Sequence, residues 1–569
     1  MAHILTSVPT MRRVLWLAAA LSLVGACTAG RIGGKEGSSG GPDDDASSGD
    51  ASSSGVDPNA PPPPSDNVID VAIWPRMIDE GSTDLHWAEV PELCRRMGLD
   101  LTGAVPTPAE VESRCKDRTP AEMADAFMAT PEFAARELKL WMQHFRVDPT
   151  RVLADHIVDA DAIARDLANG ALGYDEFAAK ILAHPVAALN RRIDAEHLED
   201  SAINAFRLFM GRAPLGSETN DFVNLFRVWR RDWDSKGELG YGYYVYFATL
   251  DPTKCESEVY GPAACTSDEI GPETVMSVPL SAPVEYLGMQ GAVDPDLQTE
   301  LEKPGQLLAL RDEFWEEAAE HALARFTGWW KSTPAEPESV VPEVRVALAA
   351  WFRETPNRDI RDLYRMIVTS LLYATTAEVS EGDPTDPRSP WSMGPTKAME
   401  STQFLDSLEK VLERELGFCD IHTDEPIGRN FFFPDRLREA QPTDFYGFEY
   451  DFYYENGQTL GGCLGSVVEP RQPGMPALFG HIEIAKKLCA PPSVIAPAGF
   501  DGSDTSEGNV DTLATFLFER FLTRPPSADE MAAVASSADA CFADPDCTMD
   551  ALGTELCGAL LRSGAFLFY

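Results

Sequence analysis

The chain has 569 residues, too many for one ordinary domain, so two or three domains are expected. Its 91 acidic and 47 basic residues give a formal net charge of −44. Such a charge argues against nucleic-acid binding and against docking on anionic lipid through a basic patch.

The first residues predict export. Arg12 and Arg13 precede an apolar run at 14–24 that is too short to span a bilayer comfortably. The run ends in LVGAC, which resembles a bacterial lipobox, so residues 1–26 are predicted to be a lipoprotein signal peptide and Cys27 the lipidated residue. The alternatives are an ordinary signal peptide and a plain N-terminal anchor. Thr28, by resemblance to lipoprotein sorting, favours the outer membrane, with the protein periplasmic or surface-exposed.

Residues 27–67 carry the lipidated Cys27 and then a linker rich in Gly, Ser, Asp and Pro. This stretch has almost no apolar side chain to bury, so we expect a flexible tether. It would hold the folded part away from the lipid surface.

The remaining chain is predicted to be mainly α: two multi-helical domains with short capped turns, and two irregular excursions that contain minor β-hairpin structure. Apolar residues recur at helical spacing through most of it. The predicted segments are an N-terminal helical domain (68–233), a disulfide-containing excursion (234–305), the first part of a second helical domain (306–416), an aromatic-rich insertion with a hairpin (417–509) and C-terminal helices (510–569).

Short proline turns open several of these helices. Thr107, Pro108 and Glu110 have the composition of a capping box with proline at the first helical position. Ser527 and Glu530 repeat that pattern, and residues 211–215 form a weaker copy in which Leu215 replaces the cap.

Cysteine usage agrees with export, because ten cysteines remain after Cys27 and an oxidising compartment allows them to pair. Sequence proximity suggests three local disulfides: Cys94 with Cys115, Cys255 with Cys265, and Cys541 with Cys547. Metal binding by cysteine is disfavoured, since the chain contains no CxxC.

Catalytic and cofactor motifs are absent from the sequence: there is no GxSxG, no HExxH and no complete P-loop. Glu313, Glu317 and His321 have the spacing of one helical face and could face a metal, but an exposed helix face with a paired histidine is favoured. Asp501 opens an oxygen-rich loop that breaks the EF-hand order, which favours an ordinary loop. We therefore expect neither a metal nor a cofactor.

The best candidate for a ligand surface is the alternating segment 445–454, FYGFEYDFYY, followed by the turn residues Asn456-Gly457. Aromatic rings beside carboxylates suit sugar stacking and hydroxyl hydrogen bonds, although one aromatic face could simply be core. The candidate ligand-binding residues are Tyr446, Glu449, Tyr450, Asp451 and Tyr453.

Residues 95–111, RRMGLDLTGAVPTPAEV, fit the pattern RR-x-x-LDLTG-x-x-PT-x-x-E. This pattern resembles the opening signature of an uncharacterised domain of secreted bacterial proteins, often associated with cytochrome-c-like segments. Segments 342–352, 363–373, 400–408 and 524–567 resemble that domain's usual, also uncharacterised, partner. Many relatives carry CxxCH, but this chain has none, so covalent haem is not expected.

Together these observations predict a lipid-anchored cell-envelope protein that binds or scaffolds polysaccharide or other envelope proteins. A secreted hydrolase acting on polysaccharide is the alternative, and a redox-partner protein without its own haem is the second alternative. An enzyme requires titratable side chains that converge in a cleft, whereas a scaffold does not.

Overall fold

A computed structural model gives the fold of the protein. The residues that it describes are 63, 65–81, 83, 85–144, 162–183, 198–219, 242–247, 274–279, 295–328, 339, 341–376, 394–413, 488–489 and 496–569. Over this part of the chain the fold is mainly helical, as the sequence predicts.

Over its described residues the N-terminal half contains seven helices with defined bounds, further helical stretches at 162–168 and 216–219, and two five-residue π-helical turns. The helices are α1 (Val68–Asp79), α2 (Val90–Met97), α3 (Pro108–Glu110), α4 (Pro120–Met128), α5 (Pro131–His144), α6 (Tyr174–Ala183) and α7 (Leu198–Met210). The π-helical turns, Gly98–Thr102 and Val111–Cys115, flank the PTPAE turn.

The C-terminal half contributes ten named helices. They are α8 (Pro295–Leu308), α9 (Asp312–Thr327), α10 (Pro342–Glu354), α11 (Ile360–Val368), α12 (Leu371–Ala374), α13 (Ser401–Leu412), α14 (Glu507–Leu522), α15 (Ala528–Phe542), α16 (Met549–Leu561) and α17 (Gly564–Leu567). A 3₁₀ turn, Pro356–Arg358, separates α10 from α11.

The predicted capping boxes are confirmed. The backbone N–H of Thr107 donates to the Glu110 carboxylate at 2.7 Å, and the Glu110 N–H returns a bond to the Thr107 hydroxyl. Ser527 and Glu530 form the same reciprocal pair at the start of α15. Each box satisfies two backbone donors that a helix start would otherwise leave unpaired.

The apolar residues between 360 and 374 recur at helical spacing, but this stretch divides into α11 and α12. The buried Asp70 of α1 accepts a hydrogen bond at 2.7 Å from the Leu371 N–H, so a side chain from another helix caps the start of α12. The apolar period continues through the break, which is why the sequence reads as one helix.

The helices bury two apolar cores. The first core takes side chains from α1, α2, α4 to α7, residues 163–168 and α8 to α12, between Ile69 and Tyr373. The second core takes side chains from α13 to α17, from residues 488–489, and from Leu99 and Val105 of the distant N-terminal segment. Residues 68–210 and 307–373 therefore share one core although a long stretch of chain separates them.

The prediction of minor β-hairpin structure is wrong for the described fold. Where side chains are described, no strand is present and both cores are helical. Two backbone strands, β1 (Gly242–Phe247) and β2 (Thr274–Pro279), pair antiparallel with each other. A lone two-stranded ribbon is marginal, so helix packing carries the fold. The predicted hairpin at 445–457 lies outside the described residues.

Within the part of the chain that the structure describes, no helix is long and apolar enough to cross a membrane.

Candidate functional site

The RR-x-x-LDLTG segment lies at the junction of the two cores. It forms the end of α2 and the π-helical turn Gly98–Thr102. Leu101 is buried in the first core and Leu99 in the second. Gly103 closes the turn at a φ of +82°, a left-handed conformation that glycine adopts without strain. The wider π turn places neighbouring side chains in two different cores, and such turns are frequent at functional sites.

Two consecutive arginines point to opposite sides of this junction. The Arg95 guanidinium donates to the carbonyls of Phe521 and Phe566, near the C-terminal ends of α14 and α17, at 2.8 and 2.9 Å. Arg96 donates to the carbonyls of Tyr373, in the last turn of α12, and Thr375, the residue that follows the helix. Each cation therefore meets the negative end of a helix, where such a charge is stabilising.

Burial makes this arrangement costly for Arg95. Loss of water around the guanidinium lowers the pKa of Arg95 to about 9, and the nearby positive charge of Arg524 acts in the same direction. Arg96 is also buried, and it has the carboxylate of Glu92 as a partner at 2.7 Å. The two main-chain carbonyls thus supply the polar contacts described for Arg95.

Asp100 is the centre of a buried polar cluster. The hydroxyl groups of Tyr373 and Tyr569 each donate to its carboxylate at 2.9 Å, and the ammonium group of Lys397 forms an ion pair with it. Lys397 also donates to the Arg325 carbonyl at 2.7 Å. Asp100 is 2% exposed and Lys397 8% exposed, so the pair is shielded from water.

The ion pair is only partly able to offset burial. Desolvation lowers the pKa of Lys397 to about 8, against the opposing attraction of Asp100. Burial and the Asp100 charge raise the pKa of Tyr373 well above its ordinary value, so this hydroxyl remains a donor at neutral pH. Perturbed groups of this kind are common at functional sites, but structural ion-pair networks produce them too.

A second charged group adjoins the first through Arg325. Arg325 pairs with the buried carboxylate of Glu137, and the Tyr364 hydroxyl donates to the same carboxylate at 3.0 Å. Arg325 also donates to the backbone carbonyl of Asp100 at 2.7 Å. Burial works against the charged form of Arg325, but the negative charges of Glu137 and Asp100 outweigh it and raise the pKa of Arg325.

Helix α13 is fixed to the signature through its polar face. Gln403 donates to the Leu99 carbonyl at 2.9 Å and to the Tyr569 hydroxyl at 2.8 Å. The N–H of Val105 donates to the hydroxyl of Ser407 at 3.0 Å. These contacts explain why Leu99 and Val105 belong to the second core.

Sequence reasoning missed the charged partners at this junction. Lys397, Arg325 and Glu137 lie far apart in sequence and match no motif. The available signal was limited to the charged residue within the apolar LDLTG run, which required a buried partner of opposite sign. The sequence did not say which of the 47 basic residues supplies it.

The sequence pattern also did not indicate that each of two turns contains an Arg–Glu ion pair. Arg524 donates twice to the Glu530 carboxylate, at 2.7 and 2.8 Å. In the turn that reads as a weaker copy, Arg212 donates twice to Glu218, at 2.7 and 3.0 Å. The Leu215 N–H donates to Glu218 at 2.8 Å, so Leu215 occupies the cap position without its side chain acting as a cap.

The two copies agree in further detail. The residue before each arginine has a left-handed backbone, with φ of +64° at Gly211 and +61° at Thr523. Each arginine also stacks over the phenylalanine six residues earlier, Phe206 at 5.4 Å and Phe518 at 6.0 Å. The chain therefore contains the same helix-ending turn twice, once on α7 and once on α14.

The predicted local disulfides are placed as follows. Cys94 with Cys115 and Cys541 with Cys547 lie at disulfide-bond distance. A longer link joins Cys489 and Cys557. Cys255 and Cys265, like Cys27, lie outside the described residues.

The five candidate ligand-binding residues at 446–453 lie outside the described residues as well. At the other candidate sites the side chains pair with protein groups: His321 lies 2.9 Å from Glu317, and Glu313 pairs with Arg311. Asp501 accepts bonds from the N–H and hydroxyl of Ser503. No group of three or more His, Cys, Asp and Glu side chains in the described part is placed to hold a metal ion.

The geometry defines a class of protein: a mainly helical chain whose two cores are joined by a buried charged cluster around the LDLTG signature. Residues 68–213 match the family model PSCyt2, described as a protein of unknown function (DUF1549). The matched stretch includes Arg95, Arg96, Asp100 and Glu137. No curated protein and no solved structure matches the chain.

Proposed function

We propose that the protein is a lipid-anchored scaffold or binding protein of the bacterial cell envelope, held at the outer membrane through Cys27. The observation that carries the scaffold part is the closed cluster at Asp100. Its charged groups are occupied by one another and by main-chain carbonyls, and Asp100 and Lys397 are less than one tenth exposed. Such a cluster holds helices together and offers no accessible group to a substrate.

Export is supported by the composition of the N-terminal residues and by the pairing of cysteines. The apolar run before Cys27 and the polar linker after it have the composition of a lipoprotein leader and tether. Three cysteine pairs at disulfide distance suit an oxidising compartment. Export across the inner membrane is consistent with both the lipid anchor and the paired cysteines.

The partners proposed for this scaffold are envelope polysaccharide or envelope proteins. The match to a family that we associate with cytochrome-c-like segments makes haem proteins of the envelope the first protein partners to examine. The chain itself has no CxxCH, so any such haem would belong to the partner.

The anchor is tested by expressing the full chain and its Cys27→Ala variant in a bacterial host that processes lipoproteins. The expected result is a diacylglycerol-modified Cys27 by mass spectrometry and recovery of the protein with the outer membrane. The variant is expected in the soluble periplasmic fraction. An unmodified Cys27 in a membrane-bound protein would contradict the lipoprotein proposal.

The binding role is tested with the full chain immobilised on beads and exposed to purified envelope polysaccharide, and separately by cross-linking in intact cells. Retention of polysaccharide, or a reproducible envelope-protein cross-link, supports the scaffold proposal. Release of new reducing sugar ends would instead establish hydrolysis and would overturn it.

A further inference from the structure

Among the three disulfides that the described residues form, one differs from the other two in its surroundings. Cys541 and Cys547 are partly exposed at the turn between α15 and α16, and both sulfurs lie about 4 Å from the Thr548 carbonyl. The remaining disulfides join cysteines that are at most 2% exposed: Cys94–Cys115 and Cys489–Cys557. An external thiol can reach the turn, whereas the buried pairs require local opening first.

The turn between α15 and α16 is held by hydrogen bonds that do not need the disulfide. The Asp544 N–H donates to the Cys541 carbonyl at 2.9 Å, and the Cys547 N–H donates to the Asp544 carbonyl at 3.0 Å. The Asp546 N–H donates to the Asp544 carboxylate at 3.0 Å. The six-residue separation also makes this the shortest of the three covalent loops. The loop-closure entropy that depends on this link is therefore smaller than that of the two longer loops.

The flanking helices are fixed independently. Val534 and Ala538 anchor α15 in the second core, and Leu552 and Leu556 anchor α16 there. Cleavage of the Cys541–Cys547 bond therefore leaves both helices packed on α14.

The Cys541–Cys547 bond is accessible to external thiols, and the fold around it does not depend on it. We therefore propose that Cys541–Cys547 is a thiol–disulfide exchange site that accepts neutral or cationic thiols. The thiolate of an external thiol forms a bond to one of the two sulfurs. The Cys541–Cys547 bond breaks, and its electron pair leaves with the other sulfur as a thiolate. A second external thiolate then attacks the mixed disulfide, releases the oxidised external thiol and leaves two reduced cysteines.

The preference for thiol charge follows from the turn itself. Asp544 and Asp546 lie between the two cysteines, and Asp550 lies in the first turn of α16; all three are exposed. Their negative potential repels anionic thiols and attracts cationic ones, and salt screens this effect.

The experiment treats the native full-length chain with a limiting dithiol, traps free thiols with iodoacetamide and maps the labelled cysteines by peptide mass spectrometry. Cys541 and Cys547 are expected to be labelled more than about 100-fold faster than the buried pairs, because those must open first. Far-UV circular dichroism is expected to stay unchanged. Labelling of all three pairs at one common rate, or only together with unfolding, would overturn the proposal.

The charge preference is measured with cysteamine and mercaptoethanesulfonate at equal thiolate concentration. Cysteamine is expected to react about three- to tenfold faster at low ionic strength, and the difference is expected to shrink in 1 M salt. The Asp544→Asn/Asp546→Asn variant, which keeps the side-chain oxygens that accept hydrogen bonds, is expected to lose most of the difference. Equal rates for both thiols in the unmodified chain would refute the proposed selectivity.

Discussion

Replacement of Asp100 by Asn tests whether the buried cluster holds the two cores together. The variant keeps the shape of the side chain and an acceptor oxygen, but it removes the charge that faces Lys397. The ammonium group then remains in a site that is 8% exposed, without its carboxylate partner. Breaking one side of a buried pair is strongly destabilising, because the remaining charge keeps its desolvation cost.

The magnitude follows from the groups in contact. Lys397 can limit the uncompensated charge by releasing its proton, because desolvation lowers its pKa to about 8 even with Asp100 in place and the loss of the Asp100 charge lowers the pKa further. The hydroxyl groups of Tyr373 and Tyr569 exchange a charged acceptor for a neutral one, at about 1 kcal/mol each. The expected loss in the free energy of unfolding is therefore about 3 kcal/mol, at the lower end of values for broken buried pairs.

The assay is urea unfolding at pH 7, followed by circular dichroism and by tryptophan fluorescence, for the original chain, Asp100→Asn, Lys397→Met and the double variant. The double variant is expected to lose less than the sum of the single losses, because each single variant strands the other group. Glu112→Gln is the matched control: its pair with Lys116 is exposed and should contribute less than about 1 kcal/mol. A loss below about 1 kcal/mol for Asp100→Asn, with additive single variants, would refute the reasoning.

Three further outcomes are expected. Arg95→Met removes the donors to two buried carbonyls and should lower the free energy of unfolding by about 1–3 kcal/mol. Hydrogen exchange should rise in residues 496–569 more than elsewhere. An equal rise over the whole chain would contradict a role confined to the C-terminal helices. The pKa of Lys397 is about 8 in the folded protein and 10.5 in the unfolded chain, so the unfolded chain holds more protons between these values. From pH 8 to 10 the free energy of unfolding should therefore rise by up to about 2–3 kcal/mol relative to that of Lys397→Met. Equal slopes for both chains would argue against a buried ammonium. Replacing Cys489 and Cys557 by alanine should lower the free energy of unfolding by about 4 kcal/mol through loop-closure entropy, and replacing Cys541 and Cys547 by about 2 kcal/mol. Chemical denaturation of both variants measures the difference. The reverse order would contradict the loop-length argument.

Much of the local structure could be predicted from the sequence. Capping at Thr107 and Ser527 depends on residues three positions apart, so the caps were accessible without any tertiary information. The local pair Cys94–Cys115 was also within reach, because the two cysteines are 21 residues apart in sequence. The prediction of minor β-hairpin structure was wrong for the described fold, because packed helices supply both apolar cores there.

The sequence by itself determined the helical class, the capped turns and the signature at residues 95–111, because periodicity and capping act between residues a few positions apart. Only the tertiary structure decided what that signature does. Arg95 and Arg96 are adjacent in sequence, yet they bind the ends of helices 426 and 277 positions away. Asp100 meets a lysine 297 positions away. No local rule selects such partners, because they are chosen by burial: a charge excluded from water is stable only where the fold brings a compensating group to it.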